Sequence, residues 1–189
     1  MAGGKTEYRL AFGLGIDGES ANRLRNGIAD AIAKDDFGAL TLLFSSGGGD
    51  TDHSLALYNF IQQLPVPVHM HGMGHIGSAA VPVFLAGGKR TCSPLARFFF
   101  HEYDWGFDGS QTLFRIEEAV ERLKSDIDIA RKIMRARTKL PDDVLDALDG
   151  NGDPVILDPA EAKARGLVEE IRELDKSGAG GMAIAVWNL

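Results

Sequence analysis

The stretch Ala39-Leu40-Thr41-Leu42-Leu43-Phe44 lies between Gly38 and the turn Ser45-Ser46-Gly47-Gly48-Gly49-Asp50. A nearly unbroken apolar run of that length suits a strand covered on both faces, as in parallel sheets flanked by helices. Helical patterns sit on either side of it. Ala21, Leu24, Ile28 and Ile32 recur along Ser20–Lys34, and Leu55, Leu57, Tyr58, Ile61 and Leu64 recur along Thr51–Leu64. The expected class is therefore α/β, built from stacked βαβ units around a mostly parallel sheet.

Further strands are expected at Tyr8–Leu14, Val66–Met70 and Arg97–His101, with Gly72–Gly77 as a glycine-rich loop. Ala79–Ala86 reads as an apolar helix stopped by Gly87-Gly88, with Pro82 near its first turn, where a missing N–H costs least. Ser110–Thr138 carries Leu113, Ile116, Val120, Leu123, Ile127 and Ile133 at helical spacing. It exceeds the mean helix length of about 11–12 residues, and a long helix projecting from a compact body is a packing or assembly element. Pro141–Leu148 reads as a short helix. Asp158 caps another over Pro159–Ala164, which Gly166 ends. Residues 1–176 are expected to form one domain. Residues 177–189 are expected to form a flexible tail, with a linker at Ser177–Gly181 and a strand candidate at Met182–Trp187.

Composition removes several classes of function. A chain that is 44% hydrophobic and 25% charged has the balance of an ordinary soluble protein. A net charge of −7 without a basic block argues against nucleic acid as a partner. The single cysteine, Cys92, excludes an intrachain disulfide and a cysteine-built zinc cage. Apolar runs such as Ala79–Ala86 are too short to span a bilayer, and Met1–Glu7 lacks the apolar core of a secretory signal. A cytoplasmic protein with no membrane partner is the expectation.

Three features carry candidate chemistry. The first is the turn Ser46-Gly47-Gly48-Gly49-Asp50, which bends sharply before a helix and presents backbone N–H groups to an anion, or is simply a tight turn. No Lys-Ser/Thr pair follows it, so it is not a Walker A loop. The second is Ser78 in Gly77-Ser78-Ala79-Ala80, where a loop becomes a helix. Its hydroxyl serves either as an N-cap or as a nucleophile beside small residues, with the Ala79 N–H binding a tetrahedral oxyanion. Ala80 departs from the G-x-S-x-G elbow. The third is His101, after Arg97-Phe98-Phe99-Phe100, at a strand end where open α/β sheets place ligand groups. It is either a general base, with one nitrogen at the serine and the other held by an acceptor, or a histidine at the core edge. Separately, His69-Met70-His71 with His75 offers imidazoles to zinc or nickel, without a carboxylate at a telling spacing. His53 and Cys92 read as structural. Trp105 and Phe107 fit a substrate cleft or an interface equally.

The ordered set of these parts resembles the Clp protease proteolytic subunit, a serine peptidase family of the crotonase-like fold. The resemblance runs from about Leu10 to Ile171. Phe44–Asp50 with Leu55-Ala56-Leu57-Tyr58 is similar to the family's glycine turn and following helix, and Pro65-Val66-Pro67-Val68 to its next strand. Gly77-Ser78-Ala79-Ala80 with Phe84-Leu85-Ala86-Gly87 is similar to its nucleophile segment, and Arg97–His101 to its histidine strand. Ser110–Thr138 resembles the handle helix through which two rings pack, and Ala160–Val168 the closing helix and turn.

The resemblance implies Ser78 as nucleophile and His101 as general base. It implies an oxyanion hole from the N–H groups near Gly48 or Gly49 together with Ala79. Pro154 aligns with the family's acid, and a one-residue insertion would bring Asp153 there; Asp153 is the expected acid. No metal and no organic cofactor is implied. The implied partners are a peptide or unfolded-protein substrate, further copies of the chain in a ring, and an ATP-dependent unfoldase. Gly47 replaces the turn's proline, and the Ser78–His101 spacing is slightly shorter than usual. Glu102–Asp108 is acidic and aromatic where the family has a glycine-rich substrate-pairing strand. The chain begins almost at its first strand, which leaves dependence on the ATPase open. Two alternatives stand beside the peptidase: an inactive or weakened scaffold subunit, and another crotonase-fold enzyme acting on an acyl thioester.

Overall fold

The computed structural model describes residues 7–34 and 38–174. The expected linker at Ser177–Gly181 and strand at Met182–Trp187 lie outside the described residues. Strand β1 (Glu7–Phe12) leads into α1 (Gly18–Lys34), β2 (Ala39–Ser46), α2 (Thr51–Gln62) and β3 (Val68–Gly77). Then come α3 (Ala80–Leu85), β4 (Lys89–Cys92), β5 (Arg97–Phe100) and the long α4 (Leu113–Arg137). The chain closes with α5 (Asp142–Asp146), a 3-10 turn (Ala147–Asp149), β6 (Val155–Leu157), α6 (Pro159–Ala164) and β7 (Glu170–Ile171).

The sheet runs β1-β2-β3-β4-β7, with β5 pairing β3 and β6. Every pairing is parallel except β5 with β6. This is the mostly parallel α/β sheet expected from the buried run at Ala39–Phe44, in which Leu40, Leu42 and Phe44 are fully buried.

The main departure from the sequence reading is β3. Gly72–Gly77 is not a loop but the second half of that strand. Its first half pairs with β4 from His69 to Gly72, and its second half pairs with β5 from His75 to Gly77. Packing explains the glycine: a β-carbon on Gly72 would lie 2.7 Å from Ile76 Cδ1 and 3.3 Å from Cys92 Cβ. Strand β4 (Lys-Arg-Thr-Cys) is too polar, and β6 and β7, of three and two residues, are too short, to be read as strands from sequence. In β4 the buried Arg90 donates to the carbonyls of Leu167 (2.8 Å), Gly87 (3.1 Å) and Arg137 (3.2 Å). A buried guanidinium is tolerated there because carbonyl oxygens replace its water.

An aromatic row crosses the core and fixes α3 against the sheet. Phe12 stacks on Phe44 at 5.5 Å, Phe44 meets Phe84 at 6.4 Å, and Phe84 meets Phe98 edge-on at 5.3 Å. All six residues of α3 are buried, so the turn that enters it is held on a rigid base. Helix α4 begins on a Thr112 cap and buries Ala119, Asp126, Ile127, Ala130 and Met134. Its first turns leave Leu113, Phe114, Ile116 and Val120 exposed. Among the described residues no helix is long and apolar enough to cross a membrane.

Candidate active site

Ser78 occupies the turn between β3 and α3 with φ +52°. A residue with a β-carbon in that left-handed region costs of order 1–3 kcal/mol and needs neighbours that hold it there. Two hydrogen bonds do so. The Ser78 N–H donates to the Phe99 carbonyl of β5, and the Ser78 carbonyl accepts from the Val81 N–H, each at 3.0 Å. The N-cap of α3 is Ala79, with no side-chain capping bond, so the serine hydroxyl is not spent as a cap. Among the described residues it has no hydrogen-bond partner.

The glycine turn lies against this serine. Gly48 and Gly49 have φ of +100° and +137°. A β-carbon on Gly48 would stand 2.8 Å from Ser78 Cβ and 3.0 Å from the Ala79 nitrogen, and one on Gly49 would collide with the Ile16 carbonyl. Ile16 fastens the turn: its N–H donates to the Gly48 carbonyl and its carbonyl accepts from the Asp50 N–H, both at 2.8 Å. The Gly48 N–H donates to Ser46 Oγ at 3.2 Å. The N–H groups of Gly49 and Ala79 have no partner among the described residues. Of the three expected oxyanion donors, these two are uncommitted.

His101 follows β5, two residues beyond the Phe99 carbonyl that anchors Ser78. Its ring stacks on Phe99 at 4.9 Å, and Phe99 in turn meets His75 at 5.9 Å. Among the described residues the imidazole makes no hydrogen bond, with Ser78 or with a carboxylate. In resting enzymes such bonds are often long and tighten with substrate. Beside His101 opens a cavity of about 370 Å³ lined by Phe99, His101, Glu102, Gly150, Gly152 and Pro154.

Asp153 is not in that lining. Strands β5 and β6 pair Phe98 with Leu157, Phe99 with Ile156 and Phe100 with Val155, in steady register. Beyond the end of this ladder, Pro154 lines the cavity with His101 and Glu102. The Asp153 carboxylate is exposed and makes no hydrogen bond among the described residues. Glu102 is the carboxylate that shares the cavity with His101.

A second, narrow cavity borders the residue after Ser78. Thr51, Ser54, Leu55, Ala79, Pro82, Tyr103, Asp126 and Ala130 line it. Thr51 Oγ1 donates to Asp126 Oδ2 at 2.6 Å. The Tyr103 hydroxyl is buried without a partner, and burial together with the nearby Asp126 charge pushes its pKa well up. The sequence reading missed this group, although a signal existed: Asp126 falls on the same helical face as Ala119, Ala130 and Met134. The segment after His101 is pinned over α4, with the Arg122 guanidinium 4.9 Å from the Trp105 ring centre and 2.7 Å from Asp52 Oδ2.

The histidine cluster is otherwise engaged. His71 is buried between Thr91 Oγ1 (2.8 Å) and Ser93 Oγ (3.2 Å). Among the described residues no group of three or more His, Cys, Asp or Glu is arranged to hold a metal ion.

Comparisons with known proteins bear on the family and the fold. The model of the family described as Clp protease matches residues 6–175. An ATP-dependent Clp protease proteolytic subunit from Illicium oligandrum is 32% identical over 86% of this chain and 80% of its own. Proteolytic subunit 3 from Nocardia farcinica is 27% identical over 92% of this chain and 79% of its own. A solved structure of a ClpP1 point mutant from Listeria monocytogenes superposes with a TM-score of 0.70. It covers 90% of this chain and 93% of that one at 22% identity, which establishes the shared fold. The chain belongs to the Clp protease family.

Proposed function

We propose that the chain hydrolyses peptide bonds by acyl transfer at Ser78. His101 takes the hydroxyl proton, the alkoxide attacks the scissile carbonyl, and the Gly49 and Ala79 N–H groups receive the oxyanion. His101 then protonates the leaving amine, and water attacks the acyl-enzyme with His101 again as base. The observation that carries this reading is Ser78 itself. It is held at φ +52° with an uncommitted hydroxyl against a glycine turn, which is costly for a serine that only links a strand to a helix. Two fixed amide donors are worth about 2.7–4 kcal/mol of barrier each when aimed at the developing charge.

The exposed apolar residues at the start of α4 support assembly with further copies of the chain, as a ring of subunits would require. The relatives are named as subunits of an ATP-dependent protease, and an unfoldase partner that delivers unfolded chains fits that naming. One observation favours a second reading, a scaffold subunit of weak activity: Asp153 is exposed and does not line the cavity beside His101. A single experiment separates the two. Assembled protein is incubated with a fluorogenic peptide library beside Ser78→Ala and His101→Ala. Turnover abolished in both variants supports the peptidase. Absence of turnover above the Ser78→Ala background supports the scaffold.

A further inference from the structure

Phe99 touches both the serine turn and the histidine. Its carbonyl accepts the Ser78 N–H at 3.0 Å. Its ring stacks on the His101 imidazole, with centroids 4.9 Å apart and planes 23° from parallel. Strand alternation sets this up: Phe98 and Phe100 are fully buried in the core, so Phe99 and His101 share the opposite, half-buried face. The ring is itself held. Gly77 stands beside Phe99 in the β3–β5 register, and a β-carbon on Gly77 would lie 2.8 Å from His75 Nε2 and 3.4 Å from Phe99 Cβ. The missing side chain leaves room for the His75 imidazole, which meets the Phe99 ring at 5.9 Å. From the other neighbouring strand, Ile156 pairs with Phe99.

A general base works only while its imidazole faces the hydroxyl, and in a triad a carboxylate fixes that orientation. Among the described residues no carboxylate hydrogen-bonds His101, and Glu102 shares its cavity without bonding to it. A near-parallel stack removes the same freedom by another route, because turning the imidazole away from the plane of Phe99 breaks the contact. The π face also attracts the imidazolium that forms when His101 takes the proton, so the contact strengthens as charge develops. Strand propensity alone accounts for an aromatic residue at this position, but not for its stack on a ring that makes no hydrogen bond.

We infer that Phe99 is the positioning residue for His101, orienting the imidazole toward Ser78 through the stack where a triad acid would do so through a hydrogen bond. The inference rests on the peptidase reading for what the imidazole does, while the hold on the imidazole is measurable without cleavage. Two measurements are made on assembled wild-type protein, Phe99→Leu and Phe99→Tyr. Leucine keeps apolar bulk and the backbone bond to Ser78 but has no flat face, whereas tyrosine keeps the face. The first measurement is steady-state peptide hydrolysis. The second is NMR of the His101 ring protons in deuterated protein carrying ring-labelled histidine, assigned by the signal lost in His101→Gln.

Phe99→Leu is expected to lower kcat by about tenfold or more with KM changed by less than about twofold, since misorienting a base costs rate rather than affinity. Phe99→Tyr is expected to keep at least about half of the wild-type kcat. The His101 ring protons are expected upfield of those of an unstacked histidine, through the ring current of Phe99, and to lose that displacement in Phe99→Leu but not in Phe99→Tyr. Displaced His101 signals without any Ser78-dependent turnover in the wild-type protein would remove the peptidase reading and leave standing that Phe99 fixes the His101 ring. His101 signals unmoved by Phe99→Leu overturn the assignment whether or not the protein cleaves. So does an unchanged kcat in Phe99→Leu, an equal loss in both variants, or a rise in KM alone, which would make Phe99 only a wall of the substrate cavity.

Discussion

A β-carbon placed on Gly48 would lie 2.8 Å from Cβ of Ser78. The glycine turn and the serine turn therefore fit together only while residue 48 has no side chain. Gly48→Ala must shift one of two backbone segments, and the φ of +100° adds strain of its own. The expected result is a fall in kcat of about 10²-fold or more, comparable to losing an oxyanion donor, with far-UV circular dichroism unchanged. Full activity in Gly48→Ala would show that the turn does not shape the site.

The two carboxylates near His101 make a discriminating pair. A triad acid, once removed, costs about 10⁴-fold in kcat. Asp153 is exposed and outside the cavity beside His101, whereas Glu102 lines it. Asp153→Asn is expected to lower kcat by less than about twofold, and Glu102→Gln by about tenfold, as for a group that orients a base without belonging to a tight triad. Steady-state hydrolysis by both variants checks this. A collapse in Asp153→Asn alone would show that the loop after Gly150 rearranges to bring that acid in.

Assembly is expected to depend on the projecting part of α4. Leu113 and Phe114 are 71% and 73% exposed, which is costly for large apolar side chains unless another surface covers them. Phe114→Glu with Leu113→Glu is expected to lower the sedimentation coefficient toward that of a smaller species. The melting of the α/β body should be little changed, because neither residue touches its core. An unaltered sedimentation profile would place the assembly surface elsewhere.

Stability against acid has a specific source. Burial, aided by the charges of Arg172 and Arg9, lowers the His71 pKa from its ordinary value to about 4. Between that value and the unfolded pKa near 6.5, the unfolded chain binds a proton that the folded chain does not. Stability from this group is thus complete above about pH 6.5 and is lost as pH falls toward 4. Denaturant midpoints measured from pH 7 to pH 4.5 are expected to decline. His71→Gln, which keeps partners for Thr91 and Ser93 without titrating, is expected to flatten that decline.

Much of this architecture was legible in the residues because local chemistry and packing agree. Asp158 caps α6 in a reciprocal box with Glu161, Pro159 opens the helix, and Gly166 leaves it at φ +75°, each at the position its chemistry favours. The glycines of Gly72–Gly77 misled because local propensity speaks for a loop, while tertiary packing demands a strand with no room for a side chain at Gly72 and Gly77. Arg90 concealed β4, since a charged residue is buried there only through carbonyls of nearby Gly87 and of two distant segments, at Arg137 and at Gly166–Leu167. At the site, Ser78, His101 and the glycine turn were readable as an ordered set. The positive φ of Ser78 was not, because it arises from the Phe99 carbonyl reaching across from β5. The count along the chain leads to Asp153 only through a one-residue insertion, and in the structure Pro154 rather than Asp153 lines the cavity beside His101.

The central claim is that the Ser78 hydroxyl is a nucleophile activated by His101. Its most direct test is labelling of assembled protein with a fluorophosphonate, followed by peptide mapping of the adduct. The account predicts one adduct, on Ser78, abolished by Ser78→Ala and slowed by about 10³-fold or more in His101→Ala. No adduct at Ser78, or one that forms equally fast without His101, would contradict it.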